Sequence, residues 1–342
     1  MVDLKETIIK NVIFHRYCCD DTKCIVNDSS YEYKNEEEEE VLKKIFLKPF
    51  QSNISTYEFA HAIDLNLNPL YKISQSIYNG DDFVEKSKKI FQHLKSVSKH
   101  PNIKDGDVFI LKFDDVKLDN AYYEAIGIYK VENQESFIEP SQDINGRNLL
   151  IFKKGIGSRK LDKACLIILT KKPYTIYIID NGSKDTEYWK NDFINVGSKN
   201  DSINNTDNFL SLTRSFIENK LSMNADITKI EAADMLNKSL IFFKQNESFN
   251  MEKFAHEVMG DSAIAKDFKV FRDNYQKENN LAIKDEFNIS SQIVKKRGVK
   301  FKQLIKLDKN FEIQIHANSE LIEKGVEMDG RKYYKIYYNE EN

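Results

Sequence analysis

Proline and glycine are scarce in this chain, at five and twelve of 342 residues, which excludes a collagen-like or low-complexity scaffold. Cysteine is scarcer still. Cys18, Cys19, Cys24 and Cys165 contain no CxxC pair and are too few to staple a fold of this length. His15, His61, His93, His100, His256 and His316 show no paired ligand spacing, so no metal or other cofactor is expected. Neither charge sign dominates: 51 Lys and Arg against 54 Asp and Glu leave a formal charge of −3, which gives no global attraction to a polyanion. Long apolar runs are also missing, and Asp3 and Glu6 interrupt any cationic-then-apolar leader. A reducing cytoplasm without membrane contact is the expected setting.

What is present suits packed globular domains: 41% of residues are hydrophobic, with Phe and Tyr supplying nearly all the aromatics. Segment 8–14 and Cys24-Ile25-Val26 suggest a small sheet near the start. The Glu36–Glu40 run reads as a solvated helix start. Phe83, Ile90, Leu94 and Val97 share one helical face. Apolar runs at 108–111, 122–131, 149–152, 165–169 and 174–179 then predict a strand-rich region over 106–180.

After Asp185 the period lengthens: Phe209, Leu212, Phe216 and Ile217 form one helical stripe, and Ile230, Ala233, Leu236, Leu240 and Phe243 another. Met251, Phe254, Ala255, Val258 and Met259 continue the pattern, and a Met and aromatic stripe of this spacing is read as helix packing rather than a cofactor box. From Val299 onward alternation returns, as in Phe311, Ile313 and Ile315. The whole predicts an α+β fold: an N-terminal mixed domain with a mainly antiparallel sheet, followed by a helical region ending in a small antiparallel β-meander. The Ser- and Asn-rich stretch 197–207 reads as a linker between an α+β domain over 1–196 and a helical domain with the meander over 208–342.

The block Asp185-Thr186-Glu187-Tyr188-Trp189-Lys190-Asn191-Asp192-Phe193 resembles a signature of the bacterial nucleoid-associated proteins of the NdpA and YejK kind. The order of other blocks is similar too: Lys153-Lys154-Gly155 and Leu161-Asp162-Lys163 upstream, Phe254 to Val258 downstream, then Val294-Lys295-Lys296, Ile305 to Asp308 and Phe311 to His316. The resemblance implies association with double-stranded DNA in the nucleoid, without catalysis. It transfers no binding residue position by position.

With a net negative chain, any DNA contact has to be a local basic patch that releases counterions. Two segments qualify. Lys153, Lys154, Arg159, Lys160 and Lys163 surround Gly155-Ile156-Gly157-Ser158, whose backbone amides are expected to approach a phosphate, although the glycine spacing matches neither nucleotide-binding fingerprint. Lys295, Lys296, Arg297, Lys300, Lys302 and Lys306 form a stretch with no acid from Ile293 to Leu307. A helix over 289–297, capped by Asn288 or Ser290, puts its lysines at the C-terminal end, where they would equally serve as solvated charges offsetting the helix dipole.

Two other functions remain in view. One is an adaptor that binds a DNA-handling protein such as a topoisomerase; its Tyr-rich strand, Tyr333 to Tyr338, is also a site for pairing with a second copy in a homodimer, or else plain sheet core. The other is a cysteine-dependent enzyme using Cys18 or Cys19 with His15 and Asp20, whereas Cys165 sits in an apolar run as a buried hydrophobe.

Overall fold

A computed structural model describes residues 2–53, 55–158, 160–181, 188–221, 229–260, 262–279, 281–298, 303–307, 311–315 and 321–340. It divides into two compact units, Met1–Lys199 and Asn200–Asn342.

In the first unit the chain runs β1 (Val2–Asp3), β2 (Ile8–Tyr17), α1 (Glu36–Phe46), β3 (Tyr57–Phe59), α2 (Pro69–Tyr78), α3 (Phe83–Val97), β4 (Gly106–Leu118) and β5 (Ala121–Val131). There follow β6 (Glu135–Gln142), β7 (Asn148–Gly155), β8 (Lys163–Ile168), β9 (Thr175–Asp180), a wide helical turn at Trp189–Ile194 and β10 (Val196–Ser198). An eight-stranded antiparallel sheet takes the order β1-β4-β5-β8-β9-β3-β10, with β2 also paired to β4. The early strand over 8–17 therefore joins the main sheet and not a small one of its own, while Ile25 contributes only an isolated bridge to Arg16.

The helices start where short polar side chains satisfy orphan amides. Asn35 accepts from Glu38 N ahead of α1, and Asp82 from Glu85 N ahead of α3. Asn68 accepts from Tyr71 N, and its amide nitrogen donates to the carbonyls of Ala60, Ile194 and Asn195, so one buried side chain ties α2 to the β3 loop and the wide turn. Leu70, Ile77, Ile90, Phe91 and Leu94 from α2 and α3 pack with Trp189 and Phe193 on one sheet face, against Ile110, Ile128 and Ile167. Phe46, Leu47 and Phe50 cover the other face, over Leu111, Phe113, Tyr129 and Leu166. Burial on both faces is why β8 reads as an unbroken apolar run, where a half-solvated antiparallel strand would alternate.

The apolar run at 149–152 behaves differently. It lies in β7, which pairs only with β6 as a separate two-stranded hairpin.

The second unit holds α4 (Ser202–Ser215), α5 (Lys229–Gln245), β11 (Ser248–Asn250), α6 (Met251–Phe254), α7 (Ser262–Glu278), β12 (Glu286–Asn288) and α8 (Ser291–Gly298). Phe209, Phe243, Phe249, Phe254 and Phe268 make its aromatic core, with Phe209 and Phe249 ring centroids 4.1 Å apart. Two antiparallel hairpins end it, β13 (Gln303–Leu307) with β14 (Phe311–Ile315) and β15 (Ile322–Val326) with β16 (Lys332–Ile336). Tyr334 of β16 packs towards Ala233 of α5.

Buried in the first unit, His15 binds Ser87 Oγ through Nε2 at 3.2 Å and accepts from Asn27 N through Nδ1. Burial, assisted by nearby Lys88 and opposed by Asp28, lowers its pKa to about 4. The unfolded chain, titrating near the ordinary 6.5, takes up the proton first. The stability linked to His15 is therefore complete above pH 6.5 and lost as pH falls from there towards 4, by about 2–3 kcal/mol. Urea unfolding monitored by the single tryptophan, Trp189, should show this acid loss, and His15→Gln should flatten it relative to the parent chain.

Candidate nucleic-acid interface

The first basic segment is dispersed by the fold. Lys153 and Lys154 are successive residues of β7, opposite Phe137 and Ser136, so they project from opposite faces of the hairpin. Lys153 pairs with Glu139 across the strands. Lys163 is 2% exposed, bonded to Asp180 at 2.7 Å and lying 5.1 Å from the Tyr188 ring centre. A lysine so enclosed holds strands together and cannot reach a phosphate. Arg159 is outside the described residues.

The glycines between them do not form a phosphate cradle. A Cβ at Gly157 would lie 2.2 Å from a Glu135 carboxylate oxygen, and one at Gly155 3.0 Å from the Phe137 ring. The small residues there admit β6 side chains, and the acid that fills the space would repel an anion. Among the described basic residues of this segment, Lys160 is the one that stands exposed at the rim of a groove.

That groove, about 740 Å³, is lined by Lys48, Gln51, Asn53, Ser158, Lys160, Asp180 and Asn181. Asn53 and Asn181 are fixed by donating to the carbonyls of Ile178 and Leu161, and one Asp180 oxygen is occupied by Lys163. A second groove, about 500 Å³, shares Lys48 and Gln51 with it and adds Lys5, Lys43 and Lys44 beside Glu37 and Glu40. Lys43 is engaged by Glu39 and Glu40 at 3.1 and 3.3 Å, whereas Lys5, Lys44 and Lys48 are exposed. These lysines come from the N-terminal loop and the end of α1, 100 residues and more from Lys160 in sequence. Sequence reasoning missed them; the spacing of Lys44 and Lys48, one turn apart at a helix end, was the available signal.

The second basic segment is also divided. Ile293 and Val294 bury one side of α8, and Ser290, whose carbonyl accepts from Val294 N, occupies the cap position. Arg297 is bound by both oxygens of Asp207, Nη2 to Oδ2 at 2.6 Å, which raises its pKa and clamps α8 to α4. Lys295 and Lys296 stay exposed at the helix end. Lys300 and Lys302 lie outside the described residues, as does the side chain of Lys306.

No nucleophile is assembled at the cysteines. Both His15 ring nitrogens are engaged by Ser87 and Asn27. Cys18 is buried, and Cys19 Sγ donates to Ile103 O at 3.0 Å. Burial and the adjoining Asp105 raise the Cys19 pKa, the opposite of thiolate activation. Burial likewise raises that of Cys165, in keeping with its place in the core. Among the described residues no group of His, Cys, Asp and Glu could hold a metal ion, and no helix is long and apolar enough to cross a membrane.

The family model described as nucleoid-associated protein YejK matches residues 13–341. No curated protein and no solved structure matches the chain.

The basic residues thus fall into two mechanical classes. Lys163→Ala and Arg297→Ala each strand a partly buried carboxylate and should cost about 2–4 kcal/mol in urea unfolding. Lys154→Ala and Lys295→Ala, both solvated, should stay within about 0.5 kcal/mol of the parent.

Proposed function

The chain belongs to the nucleoid-associated protein YejK family, matched over residues 13–341, and from that membership we propose that it contacts double-stranded DNA directly, as a binding protein and not an enzyme. The observation that carries this reading is the gathering of Lys5, Lys44, Lys48 and Lys160 around two adjoining grooves of one unit. A chain with net charge −3 meets a polyanion only through such a local concentration of cations. Lys295 and Lys296 at the end of α8, and Lys154 on the hairpin, are further phosphate contacts in this reading. Lys163 and Arg297 are not, because their cations are already spent on Asp180 and Asp207.

The grooves offer lysines and the amides of Gln51, Asn53 and Asn181, the last two already donating to main-chain carbonyls, rather than an ordered set of base-reading donors. Binding is accordingly indifferent to sequence. The nucleoid role then comes from phosphate contacts spread over a folded surface, which suits association with a chromosome at many sites.

Fluorescence anisotropy with a random-sequence duplex tests the reading. The affinity should fall steeply between about 50 and 200 mM salt, and Lys44→Glu with Lys48→Glu and Lys160→Glu should reduce the log–log slope by about 2–3. Salt-insensitive binding, or none, would reject direct contact and assign nucleoid association to a protein partner that handles DNA.

A further inference from the structure

Cys18, Cys19 and Cys24 meet in one short turn, and the fold gives each thiol a different environment. After β2 ends at Tyr17, the chain reverses through a single tight helical turn, Asp21–Lys23, and Ile25 bridges back to Arg16 with main-chain bonds of 2.8 and 3.0 Å. The turn is well secured. Asp20 caps it by accepting from Thr22 N and Oγ1, Lys23 pairs with Asp20 at 3.2 Å, and Asp21 pairs with Lys95 of α3 at 3.1 Å. Closing the turn brings Cys24 onto Cys18. The Cys24 sulfur accepts from Cys18 N and donates to Cys18 O, both at 3.4 Å, so it lies against the main chain that carries the Cys18 thiol. Cys24 is partly exposed and Cys18 is buried. Each has a cation beside it: Asp21 and then Cys24 raise the Lys95 pKa against burial, and Asp107 and then Cys18 raise that of Arg16. Cys19 is held elsewhere, its Sγ donating to Ile103 O at 3.0 Å and its N to Asp105 at 2.7 Å.

We propose that Cys18 and Cys24 are a modification site, a thiol pair that hydrogen peroxide closes into a reversible disulfide within the chain. The partly exposed Cys24 sulfur attacks one peroxide oxygen: an S–O bond forms, the O–O bond breaks, and the departing hydroxide leaves as water with the Cys24 proton. The Lys95 ammonium stands beside the negative charge that passes to oxygen in this step. The Cys18 sulfur then attacks the sulfenyl sulfur of Cys24, an S–S bond forms, and hydroxide leaves as a second water with the Cys18 proton. Two thiols and one peroxide thus give one disulfide and two waters, sulfur being oxidised and peroxide oxygen reduced. The crosslink joins segments that the bridge between Arg16 and Ile25 already holds together. Cys19 is the poorer partner. Its sulfur is engaged by Ile103, and a bond between neighbours in sequence closes only across a distorted peptide. None of the residues lining the two basic grooves belongs to this turn, so the inference is independent of DNA contact.

Peroxide treatment of the reduced full chain, followed by thiol alkylation, tryptic digestion and mass spectrometry, tests the pairing. Trypsin cuts after Arg16, Lys23 and Lys34, so Cys18 and Cys24 fall in separate peptides, 17–23 and 24–34, which stay together only if a disulfide joins them. The joined species should appear at the summed mass less two hydrogens and vanish on treatment with dithiothreitol. Cys19→Ser should keep it, whereas Cys18→Ser and Cys24→Ser should each lose it. Reduced variants should unfold at the parent's urea midpoint, read by Trp189, which separates a lost thiol from a lost fold. Oxidation should raise that midpoint in the parent and in Cys19→Ser and leave it unmoved in Cys24→Ser. A joined species that survives in Cys18→Ser, oxidation confined to Cys19, a crosslink between chains, or no joined species at all would each overturn the proposal.

Discussion

Two lysines buried side by side form the constraint around which the first unit is organised. Lys130 of β5 and Lys163 of β8 are register partners, 0% and 2% exposed. Two ammonium groups in such a place would neutralise or force the strands apart unless matched. Each is matched separately. Glu132 takes Lys130 at 2.8 Å and Asp180 takes Lys163 at 2.7 Å, while the Tyr188 ring lies near both cations and Tyr17 receives Lys130 at 4.6 Å. Burial still lowers the Lys130 pKa despite Glu132. Asp162 completes the knot by accepting from Glu132 N, Asn133 N and Asn133 Nδ2. The hairpin leaves the sheet just after Asn133 and returns just before Asp162, so this network is its anchorage. The Tyr188-Trp189 block that carries the family resemblance proves architectural: Tyr188 serves the lysines, and Trp189 fills the core and donates to Ala164 O.

Much of this was legible in the sequence, for reasons that differ by element. Helix α3 was readable because its apolar side recurs every three or four residues and Asp82 marks its start. The strands β4, β5, β8 and β9 were readable as apolar runs, since burial on two faces removes polar alternation without changing strand length. The same logic failed for β7. Leu149-Leu150-Ile151-Phe152 looks like a buried strand in one dimension, and nothing local tells a run covered by its own domain from one exposed on a separate hairpin. The candidate site was less legible than the fold. Lys163 and Arg297 sit in basic runs, but their partners, Asp180 and Asp207, are 17 and 90 residues away. Conversely, Lys48 and Lys160 face one groove only after the sheet has folded.

Charge acts here at three scales. Across the chain it nearly cancels, which keeps the protein from adhering indiscriminately to polyanions. Within the core, single cations are enclosed by single acids and act as fasteners. At the surface, a few exposed lysines gather around adjoining grooves, and an electrically neutral hairpin presents apolar side chains.

The strand order has a consequence for how the polypeptide is made. β2 ends at Tyr17, but its neighbour β4 begins only at Gly106, and β3 over Tyr57–Phe59 is flanked by β9 and by β10, which ends at Ser198. A ribosome adding about 5–20 residues per second delivers β10 roughly ten seconds or more after β2. β2 keeps an unpaired edge until β4 has been made, and β3 until β9 and β10 have, so the sheet closes only when the last strand of its first unit emerges.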